Sequence, residues 1–524
     1  MAARRVPAWF PAIRNLIVLL AAWELAGRLH WIADGALPAP SAILMRMWRD
    51  RAEYPDHVLA TLHASALGFL IGNAIAIAAG AVFAIFPTAG RIAKGINIAV
   101  FAIPPIALSP ILVLTLSGME PRVALAAIGC YFTTMTATVI GLTQSDNRAA
   151  DVVRAYGGNQ WAVLRLVQWR SALPTILSGL RVAAPNAVLG AILAEFGGGG
   201  RFGLGVYLLG SIGRGEPDRL WGIGLMATAI AGLAYWIFAL IGRRLTNASE
   251  AVTISPGVGS RRTAGESAPR KLAIALASLL VPFALWWALL ILLGVPGMIA
   301  KTPLGLFDYL FISPGASIAQ AKLWSAVWQT LPMTVAGMAA GLAFAFLLAL
   351  SAQIYPGLVR AFLPVALISQ SMPLVALTPL LVLIFGRGVS LILWVTVSVT
   401  FFPAFVTMAQ GLLQVPQAAL DLPRAYGASR LAQLRWVSIP ASLPYLFAAA
   451  RLTAPRALLG VMIAEWLATG TGLGNLINQS RGYLDYGMVW AVALVSVLLS
   501  VVFYQAVAAI ERTVLRRRGM TTVE

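Results

Sequence analysis

The chain has 524 residues, 59% of them hydrophobic and 11% charged, with a mean hydropathy of +0.83. Soluble globular domains carry about 25% charged residues, so this composition excludes a water-dissolved fold and makes lipid the solvent. The net charge of +19 does not signal nucleic acid, because the basic residues are sorted among loops rather than gathered on one face with interleaved aromatics.

Crossing the hydrocarbon core takes about 20 apolar residues. Suitable runs occur near 15–33, 60–86, 95–117, 122–144, 175–196 and 219–242, and again near 272–295, 328–355, 360–385, 389–412, 445–467 and 487–510. They lack period-two alternation, so they read as helices rather than barrel strands. At the amino end, Arg4 and Arg5 precede an apolar stretch that resembles a secretory signal. Glu24 and Arg28, one helical turn apart, suit an interfacial pair on a retained first span better.

The two sets of six are copies. Asp151-Val-Val-Arg-Ala-Tyr-Gly157 returns as Asp421-Leu-Pro-Arg-Ala-Tyr-Gly427. Matching landmarks run along both halves at near-constant spacing: Thr61 with Thr330, Gly68 with Gly337, Gly72 with Gly341, Pro87 with Pro356, Pro104 with Pro373, and Pro110 with Pro379. The register continues through Pro174 and Pro444, Arg181 and Arg451, Glu195 and Glu465, Trp221 and Trp490, and Tyr235 and Tyr504. An internal repeat fixes the architecture before any other detail. The chain therefore reads as an all-α polytopic membrane protein of two tandem six-helix domains, 1–245 and 272–524, joined by a polar linker, 246–271.

Positive charge sorts to one side of these spans: Arg14, Arg91, Lys94, Arg148, Arg165, Arg170, Arg243, Arg244, Arg262, Arg270, Arg516 and Arg517 among others. By the positive-inside rule that side is the cytoplasm, which makes both termini, the linker and the repeated loops cytoplasmic. Arg46, Arg49, Arg51, Arg214 and Arg219 fall on the other side, so the asymmetry is strong without being complete. The single cysteine, Cys130, excludes an internal disulfide, and His30, His57 and His63 have no partners at ligand spacing, so no metal site or cofactor is expected.

The repeated loop is the candidate site. Ser145, Asp146 and Asn147 can cap a short helix that ends at Gly157, a residue able to take the left-handed conformation. A second short helix follows, capped by Asn159 in one copy and Ser429 in the other. It carries an apolar stripe of Trp161, Leu164 and Val167, matched by Leu431, Leu434 and Val437, and Pro174 and Pro444 are expected to end it. Such a hairpin suits a docking surface for a soluble partner, and the alternative is a pair of amphipathic helices resting on lipid or capping the bundle.

This loop resembles the cytoplasmic "EAA" signature of permease subunits of binding-protein-dependent ABC importers: Glu-Ala-Ala, three residues, Gly, nine residues, then Ile/Val-x-Leu-Pro. Val437-Ser-Ile-Pro440 stands at the expected distance from Gly427, and Val167 at that distance from Gly157. Asp151 and Asp421 replace the Glu, and Trp169-Arg170 replaces Leu-Pro in the first copy. Leu37-Pro-Ala-Pro-Ser-Ala-Ile-Leu44, Met372-Pro-Leu-Val-Ala-Leu-Thr-Pro379, Phe385-Gly-Arg-Gly388, and Leu204-Gly205 and Leu473-Gly474 after the matched glutamates narrow the likeness to the nitrate/sulfonate/taurine class.

The resemblance implies a fused pair of type I permease domains in a bacterial inner membrane. It implies import of a small solute, an anion such as a sulfonate or nitrate-like compound, with a periplasmic or extracellular solute-binding protein and two cytoplasmic ATPase subunits as partners. The ATPase-coupling residues it implies are Asp151, Arg154, Ala155, Tyr156, Gly157, Trp161, Leu164 and Val167, with Asp421, Arg424, Ala425, Tyr426, Gly427, Leu431, Leu434, Val437 and Pro440 in the second copy. In the second copy Pro440 is expected to end the docking helix rigidly, which would hold that loop more firmly than the first.

A phosphate-binding loop needs Gly, four residues, then Gly-Lys-Ser/Thr. Of the four lysines only Lys301 precedes Ser or Thr, and Ala300 stands where the glycine is required, so the chain is not its own motor or an enzyme. Within the spans, Pro104, Pro105, Pro110, Pro185, Pro373, Pro379 and Pro455 free backbone carbonyls, either as simple kinks or as the lining of a pathway between the halves. Arg181 and Arg451 either snorkel to the cytoplasmic interface or enter that pathway, while Glu195 and Glu465, near the outer boundary, are structural or gating groups rather than solute ligands. The rival reading is an ion-coupled secondary transporter of two six-helix halves. It expects intramembrane acids and a charged loop after the second helix, whereas here the long repeated loop follows the fourth.

Overall fold

In the computed structural model, residues 9–144, 147–198, 200–212, 214–245, 268–355 and 374–520 are described, and every regular element among them is helical. Lipid demands this, since a helix satisfies its own backbone where water is absent. The first half comprises α1 (Trp9–Arg28), α2 (Pro40–Arg49), α3 (Tyr54–Ile85), α4 (Pro87–Ala102), α5 (Pro105–Thr115), α6 (Glu120–Thr143), α7 (Asn147–Ala155), α8 (Gln160–Val163), α9 (Trp169–Phe196), α10 (Leu204–Ile212) and α11 (Pro217–Leu245). The second comprises α12 (Ala268–Leu292), α13 (Pro303–Phe307), α14 (Ala316–Ile354), α15 (Leu374–Phe385), α16 (Val389–Leu413), α17 (Gln417–Ala425), α18 (Arg430–Gln433), α19 (Ile439–Ala464), α20 (Gly472–Gly482) and α21 (Tyr486–Arg517).

Eight of the described helices are long and apolar enough to cross a membrane, four in each half. The remaining apolar runs of the sequence fall on α1, α4 with α5, α12 and α15. The third run of the first half is not one helix: it breaks between α4 and α5, where Pro104 has an extended backbone and Pro105 starts the next helix. Two successive prolines remove two amide donors and force the residue before each out of helical geometry. The short helices α2, α10, α13 and α20 were not anticipated. Most of the polar linker lies outside the described residues, together with Arg4, Arg5, Ser145, Asp146, Arg262, Pro356 and Pro373.

Each half is built around three helices, α3, α6 and α9 in the first and α14, α16 and α19 in the second. The matched glycines set their spacing. A Cβ on Gly68 would stand 2.7 Å from the Val123 carbonyl oxygen of α6, and one on Gly337 would stand 2.7 Å from Thr396 Cβ of α16. The halves meet through their broken third spans. Helix α5 packs on α9 of its own half and on α19, α20 and α21 of the other, and α15 packs on α19 and on α9, α10 and α11. One apolar cluster joins the halves, with Ile106 and Leu193 from the first and Leu380 and Met462 from the second. Outward positions such as Leu70, Ile75, Leu347 and Val502 are exposed and apolar, as a lipid-facing rim requires.

Candidate functional site

The repeated loop forms the same corner twice. In the first copy the Gly157 amide donates to the Arg154 carbonyl (2.9 Å) and the Gly158 amide to Val153 (2.9 Å). In the second, Gly427 donates to Arg424 and Ala428 to Pro423, each at 2.9 Å. This paired pattern is the Schellman closure of a helix, and it requires a left-handed residue. Gly157 has φ 80° and Gly427 φ 74°. The next helix is capped at once, Asn159 Oδ1 accepting from the Ala162 amide (3.0 Å) and Ser429 Oγ from the Ala432 amide (3.2 Å). Asp151 pairs with Arg154 (2.8 Å) and Asp421 with Arg424 (3.3 Å), across one turn of α7 and α17. Ala155 and Ala425 are the last residues of those helices.

Two expectations about this loop need correction. The second helix is not ended by proline. It runs on through a π-turn, Leu164–Gln168 or Leu434–Ser438, into α9 or α19, so that Gln160–Phe196 and Arg430–Thr469 are continuous. Pro174 and Pro444 lie inside those helices, and Pro440 lies in the first turn of α19. The π-turn forms in both copies, with Arg170 in the place of Pro440, so the proline does not set it. The apolar stripe also does not stay on one face: Leu164 and Leu434 are buried in the bundle, Val167 and Val437 are half-buried, and Trp161 and Leu431 are exposed. The outward apolar surface is instead Tyr156, Trp161 and Leu166 in one copy and Tyr426, Leu431 and Trp436 in the other. Tyr156 and Tyr426, at the helix caps, are 89% and 85% exposed.

The second corner is nevertheless the more tightly held. Arg424 Nε donates to Gln433 Oε1 (3.0 Å), and Gln433 Nε2 donates to the Ala428 carbonyl (2.9 Å), bracing α17 against α18. The first copy has Val163 at that position, turned into the core.

At the opposite end of the spans the matched glutamates form a second repeated device. Glu195 Oε1 accepts from Thr61 Oγ1 (2.7 Å), and Oε2 accepts from the Gly205 amide (2.7 Å). Thr61 Oγ1 itself accepts from the Leu204 amide (2.9 Å), and His57 Nδ1 from the Gly203 amide (3.1 Å). In the other half Glu465 takes Thr330 Oγ1 (2.8 Å) and the Gly474 amide (3.0 Å), Thr330 the Leu473 amide (2.9 Å), and Gln329 the Gly472 amide (2.8 Å). Three successive amides at the start of α10 and α20 thus find remote acceptors, where a helix otherwise leaves its first amides unpaired. No side chain beyond glycine fits at Gly203 or Gly472, because a Cβ there would overlap the carboxylate. Both glutamates are 1% exposed, and the first has Arg122 at 4.0 Å.

The intramembrane candidates separate by place. Arg451 pairs with Glu511 of α21 (3.1 Å), and the Arg181 guanidinium lies 4.2 Å over the Tyr235 ring of α11, so both turn toward the last helix of their own half. Pro104, Pro110 and Pro379 are buried in α5, its cap and α15, at the seam. Pro105 begins α5, while Pro185 and Pro455 lie within α9 and α19, which continue through them. Pro373 lies outside the described residues. Sequence reasoning missed Arg456, a half-buried cation in the middle of α19 whose counterpart in α9 is Asn186, and it missed Arg481 of α20, whose guanidinium donates to the Gly197 carbonyl of the other half.

Two successive stretches, 68–251 and 341–516, match the family described as binding-protein-dependent transport system inner membrane component. The chain belongs to that family. Each match covers one repeat, so the protein is a fused tandem of two of its permease domains. A probable ABC transporter permease protein of Haemophilus influenzae is 32% identical over 41% of this chain and 91% of its own length. The riboflavin transport system permease protein of Chloroflexus aurantiacus is 29% identical over 39% of this chain and 80% of its own. The taurine transport system permease protein of Escherichia coli is 25% identical over 46% and 89%. As an ABC permease of this family the chain is a multi-pass membrane protein and not an enzyme; ATP is hydrolysed on a separate subunit.

Proposed function

We propose that this permease imports a small anionic solute, of sulfonate or nitrate-like chemistry, and that its two repeated corners each receive one ATPase subunit. The reading rests on one observation above all. The Gly157 and Gly427 corners are built alike, lie at the same end of the two halves, and expose an aromatic side chain at the cap with further apolar residues five and ten positions on. In water such side chains call for a covering partner, and a helix set rigidly in continuity with α9 or α19 transmits a push on the corner into the seam. The solute class draws on the resemblance to sulfonate and taurine permeases.

In this reading the corners, both termini and the linker at 246–271 face the cytoplasm, the domains are 1–245 and 272–524, and the glutamate-held helices face an external solute-binding protein. The test is co-purification from native membranes. An ATPase should be retained by the wild-type chain and released when Tyr156 and Tyr426 are both replaced by Asp. Retention by that double variant would refute docking at the corners.

A further inference from the structure

Arg456 stands in the middle of a membrane span. It lies nine residues before Glu465, roughly 14 Å along the helix at 1.5 Å per residue, within hydrocarbon about 30 Å thick. Among the described residues it has no ion pair, hydrogen bond or ring partner, unlike Arg451 five positions earlier. An unpaired cation at that depth is expensive against lipid and is tolerated where it faces a water-filled space.

The packing of α19 places it at the border between α16 and the seam. Ala450 and Ala454 pack with Val507 of α21 and Met338 of α14, whereas Ala449 and Gly460, about 20° and 40° from Arg456 around the helix, pack on α16. Arg456 is two residues beyond Ala454, about 200° around the helix, and three before Leu459, about 60° away. Leu459 packs on the apolar cluster that joins the two halves. Leu452, Arg456 and Leu459 are each half-buried while the residues between them are buried, which marks a partly open stripe. The pseudo-symmetric stripe on α9 is Val182, Asn186 and Leu189, where Val182 is exposed, Asn186 and Leu189 are half-buried, and Leu189 packs on the same joining cluster. Helices α5 and α15 each touch both α9 and α19, so these four elements ring the seam.

We propose that Arg456 and Asn186 form an anion-binding station within the translocation pathway, taking the carboxylate or sulfonate head of the solute. Guanidinium offers paired N–H donors in a plane that matches such head groups, and the Asn186 amide adds donors from the other half. The duplication makes the site asymmetric, with charge from one side only, so the solute is oriented as it passes. The inference rests on the reading of the chain as a solute-carrying permease and deepens it by assigning the residues that select charge.

The test uses the full chain in lipid nanodiscs. Arg456→Cys and Asn186→Cys should each react from water with the impermeant reagent methanethiosulfonate ethylsulfonate, while wild type, whose only cysteine is the buried Cys130, should not. Equilibrium binding is then measured with radiolabelled methanesulfonate and benzoate, and with glycerol as the neutral probe. Wild type should bind at least one anion, Arg456→Gln should bind it at least about tenfold more weakly, as loss of a charged hydrogen bond implies, and Arg456→Lys should stay close to wild type. Absence of labelling at both cysteines, equal anion binding by wild type and Arg456→Gln, or no anion binding by wild type would each overturn the proposal. The ATPase retained on the same nanodisc samples reports separately on the corners: its loss from wild type would count against the coupling reading and not against this site.

Discussion

Thr61 donates its hydroxyl hydrogen to Glu195 at 2.7 Å while its oxygen accepts the Leu204 amide at 2.9 Å, and Thr330 makes the same two bonds to Glu465 and Leu473. One hydroxyl therefore serves as the joint between α3 and the start of α10, or between α14 and the start of α20. A valine of nearly the same shape would leave a buried amide without an acceptor and a carboxylate short of a donor. Thr330→Val is expected to destabilise the second half by about 1–3 kcal/mol, the cost of orphaned buried groups. Thermal unfolding in detergent measures it. The double variant with Glu465→Gln should show strong non-additivity, because both residues act on one joint.

The corner glycines lead to a graded result. Gly157→Val and Gly427→Val meet no side chain, since no atom lies within 4 Å of either Cβ position, so their cost is the backbone strain of about 1–2 kcal/mol. Both should weaken ATPase retention while leaving membrane insertion intact. Gly427→Val should do so more, because a shift there also breaks the Arg424, Gln433 and Ala428 brace. Quantitative pull-down of the ATPase checks this; a larger defect at Gly157 would refute the role of the brace.

Gln433→Val gives the second corner the residue that the first already has. It should lower ATPase retention modestly and bring the effects of Gly157→Val and Gly427→Val to similar size. If the two glycine variants stay as far apart in the Gln433→Val background, the asymmetry has another source.

Much of this was legible because it is local. The left-handed glycines and the Asn159 and Ser429 caps depend on neighbours within a few residues, which the sequence sets side by side. The glutamate joint was only half visible. Thr61, Glu195 and Leu204-Gly205 all stand out as repeated landmarks, but the hydrogen bond spans 134 residues and no local period links them. The stripe through Trp161, Leu164 and Val167 was misassigned to one surface because the helix does not stop but runs on into the bundle, which buries Leu164 and leaves Trp161 outside. Arg456 repeats no residue of the first half, so a search for matched landmarks passes it by.

The far end of the first half carries an acid-sensitive element. Asp50 accepts from Arg219 (2.7 Å) and Arg46 (2.9 Å), and these hydrogen bonds, with Arg219 foremost, hold its carboxyl below the ordinary range. Arg46 also reaches Glu216 (2.6 Å), tying α2 to the start of α11. A depressed folded-state value means that the contribution is present above the unfolded value of about 3.9 and is lost as pH falls through the folded one. Thermal stability should thus be insensitive to this group from pH 5 to pH 8, which starts about one unit on the neutral side of that value, and should drop below about pH 4. Asp50→Asn should lower stability at pH 7 and flatten the acid limb, which a melting series across pH would show.

The central claim is that one chain presents two corners to two ATPase subunits. Native mass spectrometry of the complex purified from its own membranes tests this most directly. The account predicts one permease chain with two ATPase chains, and loss of one ATPase mass when only one corner is altered. A particle with two permease chains per ATPase pair, or a single ATPase on the intact wild-type chain, would contradict it.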